Sequence, residues 1–316
     1  MKLYLSEEDV AACLPMGKAI ELVEGAFRQM AAGTAVNQPR RRVVLPTGSV
    51  LHYMAAGTAE YFGIKVYSVN AKSGAHFEFL LYRSGDAVPL ATMEANRLGQ
   101  IRTGAASGVA TRLLAREGAC VAGVIGSGFQ AETQLEAVAA VRRLTAVRVW
   151  SRNAVKREGF AERMSARLGV SVRAVETARE CVEAADIVIT MTNAKTPVLE
   201  TSWISPGTHI NAAGSNWAHR RELPADLVIG RASLVAVDSV EVGQLEAGDL
   251  LLAQKEMQAA ELPAVELADI AAGKRAGRTA DSEITIFKSN GLAVEDVAAG
   301  GWVYEEAVRR KLGTMR

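Results

Sequence analysis

Two sets of residues in this 316-residue chain have the types and spacing to do chemistry. The first is rich in glycine. Gly126, Gly128 and Ala131 make G-x-G-x-x-A within "GVIGSGFQAETQLEA", directly after an apolar run and directly before a helical pattern. The first glycine permits a tight turn, and the second lets a pyrophosphate approach the backbone. The small third residue lets strand and helix pack closely, and the helix N-terminus favours the anion. Ser127, Phe129 and Gln130 fill this turn and count with it as cofactor-binding. The next strand, "VRVWSRN", ends in Ser151, Arg152 and Asn153, where a site for an unphosphorylated ribose places an acid. A hydroxyl and a guanidinium suit a 2′-phosphate instead. NADP(H) is therefore favoured and NAD(H) is the alternative. Met191 and Thr192, at the end of the strand "DIVITMT", are expected to complete the cofactor site. The second set is cationic: Arg41, Lys65 and Arg102. Lys65 interrupts the apolar strand "FGIKVYSV", and Arg102 lies in "QIRTGAAS". A cation among apolar neighbours is costly unless paired. The partner is an acid of the fold or a substrate carboxylate, and the residues alone leave both open.

These residues need elements to hold them. "SEED" at Ser6–Asp9 is a capping-box start, and Pro15 opens a second helix that Gly33 stops. Between Arg42 and Met93 the runs "RRVVLP", "SVLHYMA", "FGIKVYSV", "FEFLLYR" and "AVPLATM" read as an antiparallel sheet, with a hairpin turn at "RSGD". A helix rich in small residues follows from Glu94 to Arg116. Its Gly and Ala content predicts close approach to another backbone, such as that of a second subunit. From Gly118 strands and helices alternate, which predicts a doubly wound parallel sheet. The last stretch, "GLAVEDVAAGGWVYEEAVRRKLG", reads as a long helix returning to the first domain. The fold expected is α/β: a Rossmann-type domain over 113–290, and an α+β substrate-binding and dimerisation domain over 1–112, joined by the helix at about 291–316.

Composition narrows the function classes. The chain is 49% hydrophobic and 22% charged, with a net charge of +1. No charge excess points to nucleic acid or an anionic membrane. No apolar run approaches the roughly 18 residues of a spanning helix. The three cysteines are scattered, the four histidines have no metal-ligand spacing, and the N-terminus has no secretory pattern. A cytoplasmic protein without a metal is expected.

Six ordered segments resemble the ornithine cyclodeaminase/μ-crystallin family over nearly the whole chain. "QPRRRVVLP" is similar to its Gln-Pro-x-Arg segment and places the family arginine at Arg41. "GIKVYSV" carries Lys65, and "LGQIRTGAASGVATRLLA" carries Arg102 and Thr103. "GVIGSGFQAETQLEA", "HINAAGSN…RREL" and "ITIFKSNGLAVEDVAA" complete the series. The resemblance implies an NAD(P)-dependent enzyme, usually a homodimer. It implies that Arg41, Lys65 and Arg102 hold a substrate carboxylate near the nicotinamide, and it adds Thr103 to the cofactor site. The chain departs from the cyclodeaminases at Asn216, where they carry an aspartate, and Trp217, Ala218 and His219 replace the usual Pro-Gly-Lys. An amide neither takes a proton nor pairs with an ammonium. The expected activity is therefore reduction of a C=N bond beside a carboxylate, by a cyclic ketimine reductase or an amino-acid dehydrogenase. An ornithine or lysine cyclodeaminase with recycled NAD, and a crystallin-like NADPH-dependent ligand-binding protein, are the alternatives. His219 is either a proton source or a surface-loop histidine. Asn216 and His219 join the three cations as candidate catalytic residues. The expected partner is a small amino or imino acid.

Overall fold

The computed structural model describes residues 2–316. The chain opens with β1 (Leu3–Leu5), α1 (Glu7–Cys13) and α2 (Met16–Ala31). Ser6 caps α1 in the expected capping box: its hydroxyl accepts from the Asp9 amide, and the Asp9 carboxylate accepts from the Ser6 amide. Six strands follow: β2 (Val36–Asn37), β3 (Arg41–Val44), β4 (Val50–Gly57), β5 (Tyr61–Asn70), β6 (Gly74–Arg83) and β7 (Pro89–Glu94). Next comes α3 (Asn96–Leu114), whose first amides, Asn96 and Arg97, donate to the Glu7 carboxylate. Alternation then begins: β8 (Val121–Ile125), α4 (Phe129–Val141), β9 (Ala146–Trp150), α5 (Ala154–Leu168), β10 (Val172–Ala174), α6 (Ala178–Val182) and β11 (Ile187–Thr190). After β12 (His209–Ala212) come β13 (Leu234–Val237), α7 (Val240–Glu246), α8 (Gly248–Met257), β14 (Val265–Glu266), α9 (Leu267–Ala271) and β15 (Thr285–Lys288). The chain closes with α10 (Ala293–Arg310) and β16 (Thr314–Met315). Among the described residues, no helix is long and apolar enough to cross a membrane.

The chain divides into two compact units, Met1–Thr103 with Gly291–Arg316, and Gly104–Asn290. The division falls inside α3, whereas a boundary at 112/113 is expected from the sequence.

The first unit is built on an eight-stranded sheet ordered β16-β1-β7-β6-β5-β4-β2, with β3 also paired to β4. Its central strands run antiparallel as expected, but β1 runs parallel to β7. Directly paired residues share a face, and neighbours along a strand take opposite faces. Met54, Lys65 and Phe79 therefore lie on one face, and α10 packs over β4, β5 and β6. Gly300 lets the helix approach: a Cβ there would lie 2.5 Å from the Phe79 ring. The other face carries Val43, Leu51 and Tyr53, which stay 47%, 41% and 39% exposed.

The second unit holds a parallel sheet ordered β10-β9-β8-β11-β12-β15-β13-β14. The order reverses between β8 and β11, the switch point at which open α/β sheets bind ligands. Side chains of β11 alternate between two apolar clusters: Ile187 and Ile189 pack with Leu135 and Phe160, and Val188 packs with Ile210 and Leu250. The sheet is thus buried on both faces, as a doubly wound fold requires. Within this unit Gly104 of α3 lies against α4, and a Cβ on it would meet the Thr133 carbonyl oxygen at 2.4 Å. The close approach expected of the small-residue helix is made here to the same chain.

Candidate active site

A cleft of about 1010 Å³ opens in the second unit at the C-terminal ends of β8, β9, β11 and β12. Gly126, Ser127, Gly128, Phe129 and Gln130 form one wall, and Ser151, Arg152 and Lys156 form another. Met191, Thr192, the segment 193–198 and Gly214 close the far side. The glycines are dictated by space. Gly126 has φ +119°, and a Cβ there would lie 2.2 Å from the Met191 carbonyl oxygen. A Cβ on Gly214 would lie 2.3 Å from the Thr192 amide nitrogen. Gly128 caps α4 with no side-chain cap, so the helix N-terminus opens on the turn, where a pyrophosphate is favoured. The Ser127 and Ser151 hydroxyls lie 2.8 Å apart and tie the turn to the tip of β9. These residues fit a dinucleotide.

Two of the expected cofactor residues make other contacts in the structure. The Asn153 side chain accepts from the Lys156 amide at 2.9 Å and caps α5, beside the residues that line the cleft. Thr103, in the first unit, donates its hydroxyl to the Gly99 carbonyl. Lys156, the segment 193–198 and Gly214 were not foreseen. Lys156 sits in the first turn of α5, directly after the strand tip of Ser151 and Arg152, and that position was the available signal.

Under the cleft wall lies a buried polar network. The Glu222 carboxylate accepts from the Thr190 hydroxyl, the Thr192 amide and hydroxyl, and the Gly214 amide, at 2.7–3.0 Å. Burial, then Asp249, raises its pKa, while Lys288 and the donors pull it down. Asp249 accepts from the Glu222 and Leu223 amides and lies 3.1 Å from Lys288 Nζ. Lys288 donates to the Ser215 carbonyl at 2.5 Å. The three charged side chains thus bind the segments after β11 and β12 to each other. Asn216, half-buried, follows directly. His219 is exposed in a turn, edge-on to Trp217 at 5.5 Å.

The first unit gathers the cations. Lys65 is 3% exposed and its Nζ lies 2.8 Å from Asp296 Oδ1. Arg102, 5% exposed, donates Nε to the same oxygen at 3.1 Å and Nη1 to Glu295 Oε2 at 2.8 Å. Glycines leave the room: a Cβ on Gly99 would lie 3.1 Å from Lys65 Nζ, and one on Gly291 would lie 2.5 Å from Arg102 Nη1. Burial, then repulsion from Arg102 and Arg40, lowers the Lys65 pKa to about 8 against the pull of Asp296. Burial would also lower Arg102, but Asp296 and Glu295 override it and raise it.

Arg41 is not part of this group. It pairs with Tyr53 on the exposed face of the sheet, opposite to Lys65, and is itself exposed. Its neighbour Arg40 is buried and donates to the Gly291 carbonyl at 3.2 Å. The cation that acts on Lys65 from this segment is Arg40, which directly precedes β3, where Arg41 was expected. Asp296 and Glu295 were also missed as site residues, although "AVEDVAA" displays both.

A switch-point cleft with a glycine cradle defines a dinucleotide-binding α/β protein, here joined to a unit that buries cations. The family model described as ornithine cyclodeaminase/mu-crystallin matches residues 1–311, and the chain belongs to that family. It is 38% identical to the Delta(1)-pyrroline-2-carboxylate reductase of Thermococcus litoralis, whose structure holds NADH and L-proline. That match has a TM-score of 0.94 and covers 99% of this chain and 100% of the other. It is 33% identical to the alanine dehydrogenase of Archaeoglobus fulgidus, over 99% of this chain and 97% of that one. A Delta(1)-pyrroline-2-carboxylate reductase of Bacillus cereus is 42% identical over 71% of this chain and 69% of its own length.

Proposed function

We propose that the chain is an NAD(P)H-dependent oxidoreductase that reduces a C=N bond beside a carboxylate, with cyclic imino acids such as pyrroline- or piperideine-2-carboxylate as substrates. The observation that carries this reading is the buried group of Arg40, Lys65 and Arg102 with Glu295 and Asp296. Three cations against two acids leave one positive charge, which matches a single substrate carboxylate. A bound reduced nicotinamide supplies a hydride to the imine carbon. Lys65, with a pKa of about 8, gives its proton to the imine nitrogen, which takes the π pair as the carbon is reduced. The arginines hold the carboxylate, so the carbon is positioned before reaction. The same step on the acyclic imine of a 2-oxo acid is the reverse of amino-acid dehydrogenation, and the alanine dehydrogenase relative supports that as a second use of the site.

NADP(H) is preferred over NAD(H) in this reading. Ser151, Arg152 and Lys156 line one wall of the cleft and bring two cations to it. The chain acts as a homodimer, in which the exposed sheet face of Val43, Leu51 and Tyr53 is covered by a second copy. The test is an assay of the purified chain with NADPH or NADH against a panel of cyclic imino acids, with ornithine plus catalytic NAD run in parallel. Oxidation of reduced cofactor only when an imino acid is present supports the reading. Sustained ammonia release from ornithine without net cofactor turnover identifies a cyclodeaminase and refutes it.

A further inference from the structure

The two acids at the start of α10 are not equivalent. Glu295 meets Arg102, whereas Asp296 Oδ1 is shared by the Arg102 guanidinium and the Lys65 ammonium. Asp296 Oδ2 is buried and has no hydrogen-bond partner among the described residues. Asp296 is fully buried and meets both cations through the same oxygen.

The remaining surroundings of Lys65 act against its proton. Burial disfavours the charged amine, Arg102 repels it from α3, and Arg40 repels it from the segment leading into β3. His52, on the same face of β4, adds no negative charge: burial, then Arg42 and Arg40, brings its pKa down to about 4. Asp296 is the acid that opposes them. Its contact at 2.8 Å also fixes where the ammonium lies, in the gap left by Gly99.

We propose that Asp296 is a positioning residue: it locates the Lys65 ammonium and keeps the lysine protonated at neutral pH, so that the imine nitrogen meets a proton donor. This rests on the reading of Lys65 as that donor.

The experiment is the pH profile of kcat/KM for imine reduction. In the wild type the profile falls on the alkaline side with a midpoint near 8, where Lys65 loses its proton. In Asp296→Asn the midpoint moves down by at least about one pH unit, the usual effect of removing an adjacent opposite charge. At the wild-type midpoint the rate then drops about fivefold or more, and it recovers at lower pH. Glu295→Gln removes an equally buried acid of the same helix, and raises KM through Arg102 with the midpoint unmoved. Protonation of the free imine is common to all variants and cancels. An alkaline limb near pH 8 that is unchanged in Asp296→Asn overturns the role of Asp296 alone. A wild-type limb that persists in Lys65→Met overturns the donor reading instead. If Asp296→Asn does not fold, Asp296→Glu keeps the anion and holds the midpoint within about half a unit, and a displacement of a full unit overturns the proposal.

Discussion

Arg40 and Arg41 are adjacent, yet one is buried against the Gly291 carbonyl and the other lies exposed beside Tyr53. The difference predicts different phenotypes. Arg40→Ala should lower kcat/KM about tenfold or more, since a partly desolvated charge-assisted contact is worth about 1.5–3 kcal/mol. Arg41→Ala should leave kcat/KM within about twofold. Steady-state kinetics on the two variants decide it, and the reverse order would restore Arg41 to the site. Ser151 allows a second residue-scale test. Ser151→Asp brings an anion to the cleft wall shared with Arg152 and Lys156. NADPH affinity should then fall at least about tenfold more than NADH affinity, a difference of about 1.4 kcal/mol. Equal losses measured by fluorescence titration would show that this wall does not read a phosphate. The glycine cradle and Lys65 were legible in the sequence because their signals are local: three positions in a turn, one charge in an apolar strand. Arg40 was not, because which of two neighbouring arginines is buried is set by the fold around them and not by a local signal.

At the scale of elements, the alternating strands and helices were legible because a buried parallel sheet leaves apolar runs separated by amphipathic ones. What was not legible is where a close approach is made. The small residues of α3 predict tight packing, but only the fold shows that Gly104 meets the backbone of α4 in the same chain. Gly104→Ala places a Cβ 2.4 Å from the Thr133 carbonyl oxygen, so backbone must move. The expected cost is about 1–3 kcal/mol, read as a lower Tm. Gly25→Ala in α2, where nothing lies within 4 Å, should be neutral or stabilising by up to about 1 kcal/mol. Equal melting of both variants would mean that the α3–α4 contact yields at no cost. The Glu222, Asp249 and Lys288 network was also hidden, since its members are 27–66 residues apart and meet only where β11, β12 and β15 lie side by side.

For the whole molecule, the proposed dimer covers the sheet face of Val43, Leu51 and Tyr53, which are partly exposed in the single chain. Leu51→Asp should shift sedimentation from dimer toward monomer, and an unchanged dimer would place the seam elsewhere. In the proposed function the two units divide the labour: one would hold the substrate carboxylate beside Lys65, and the other the dinucleotide. The most direct test of that function follows the hydride. The chain is incubated with pyrroline-2-carboxylate and NADPH carrying deuterium at the reactive C4 position, and the product is analysed by mass spectrometry. The account predicts proline with one deuterium on the α-carbon and an equal amount of oxidised cofactor. Proline without deuterium, or oxidised cofactor without proline, would contradict it.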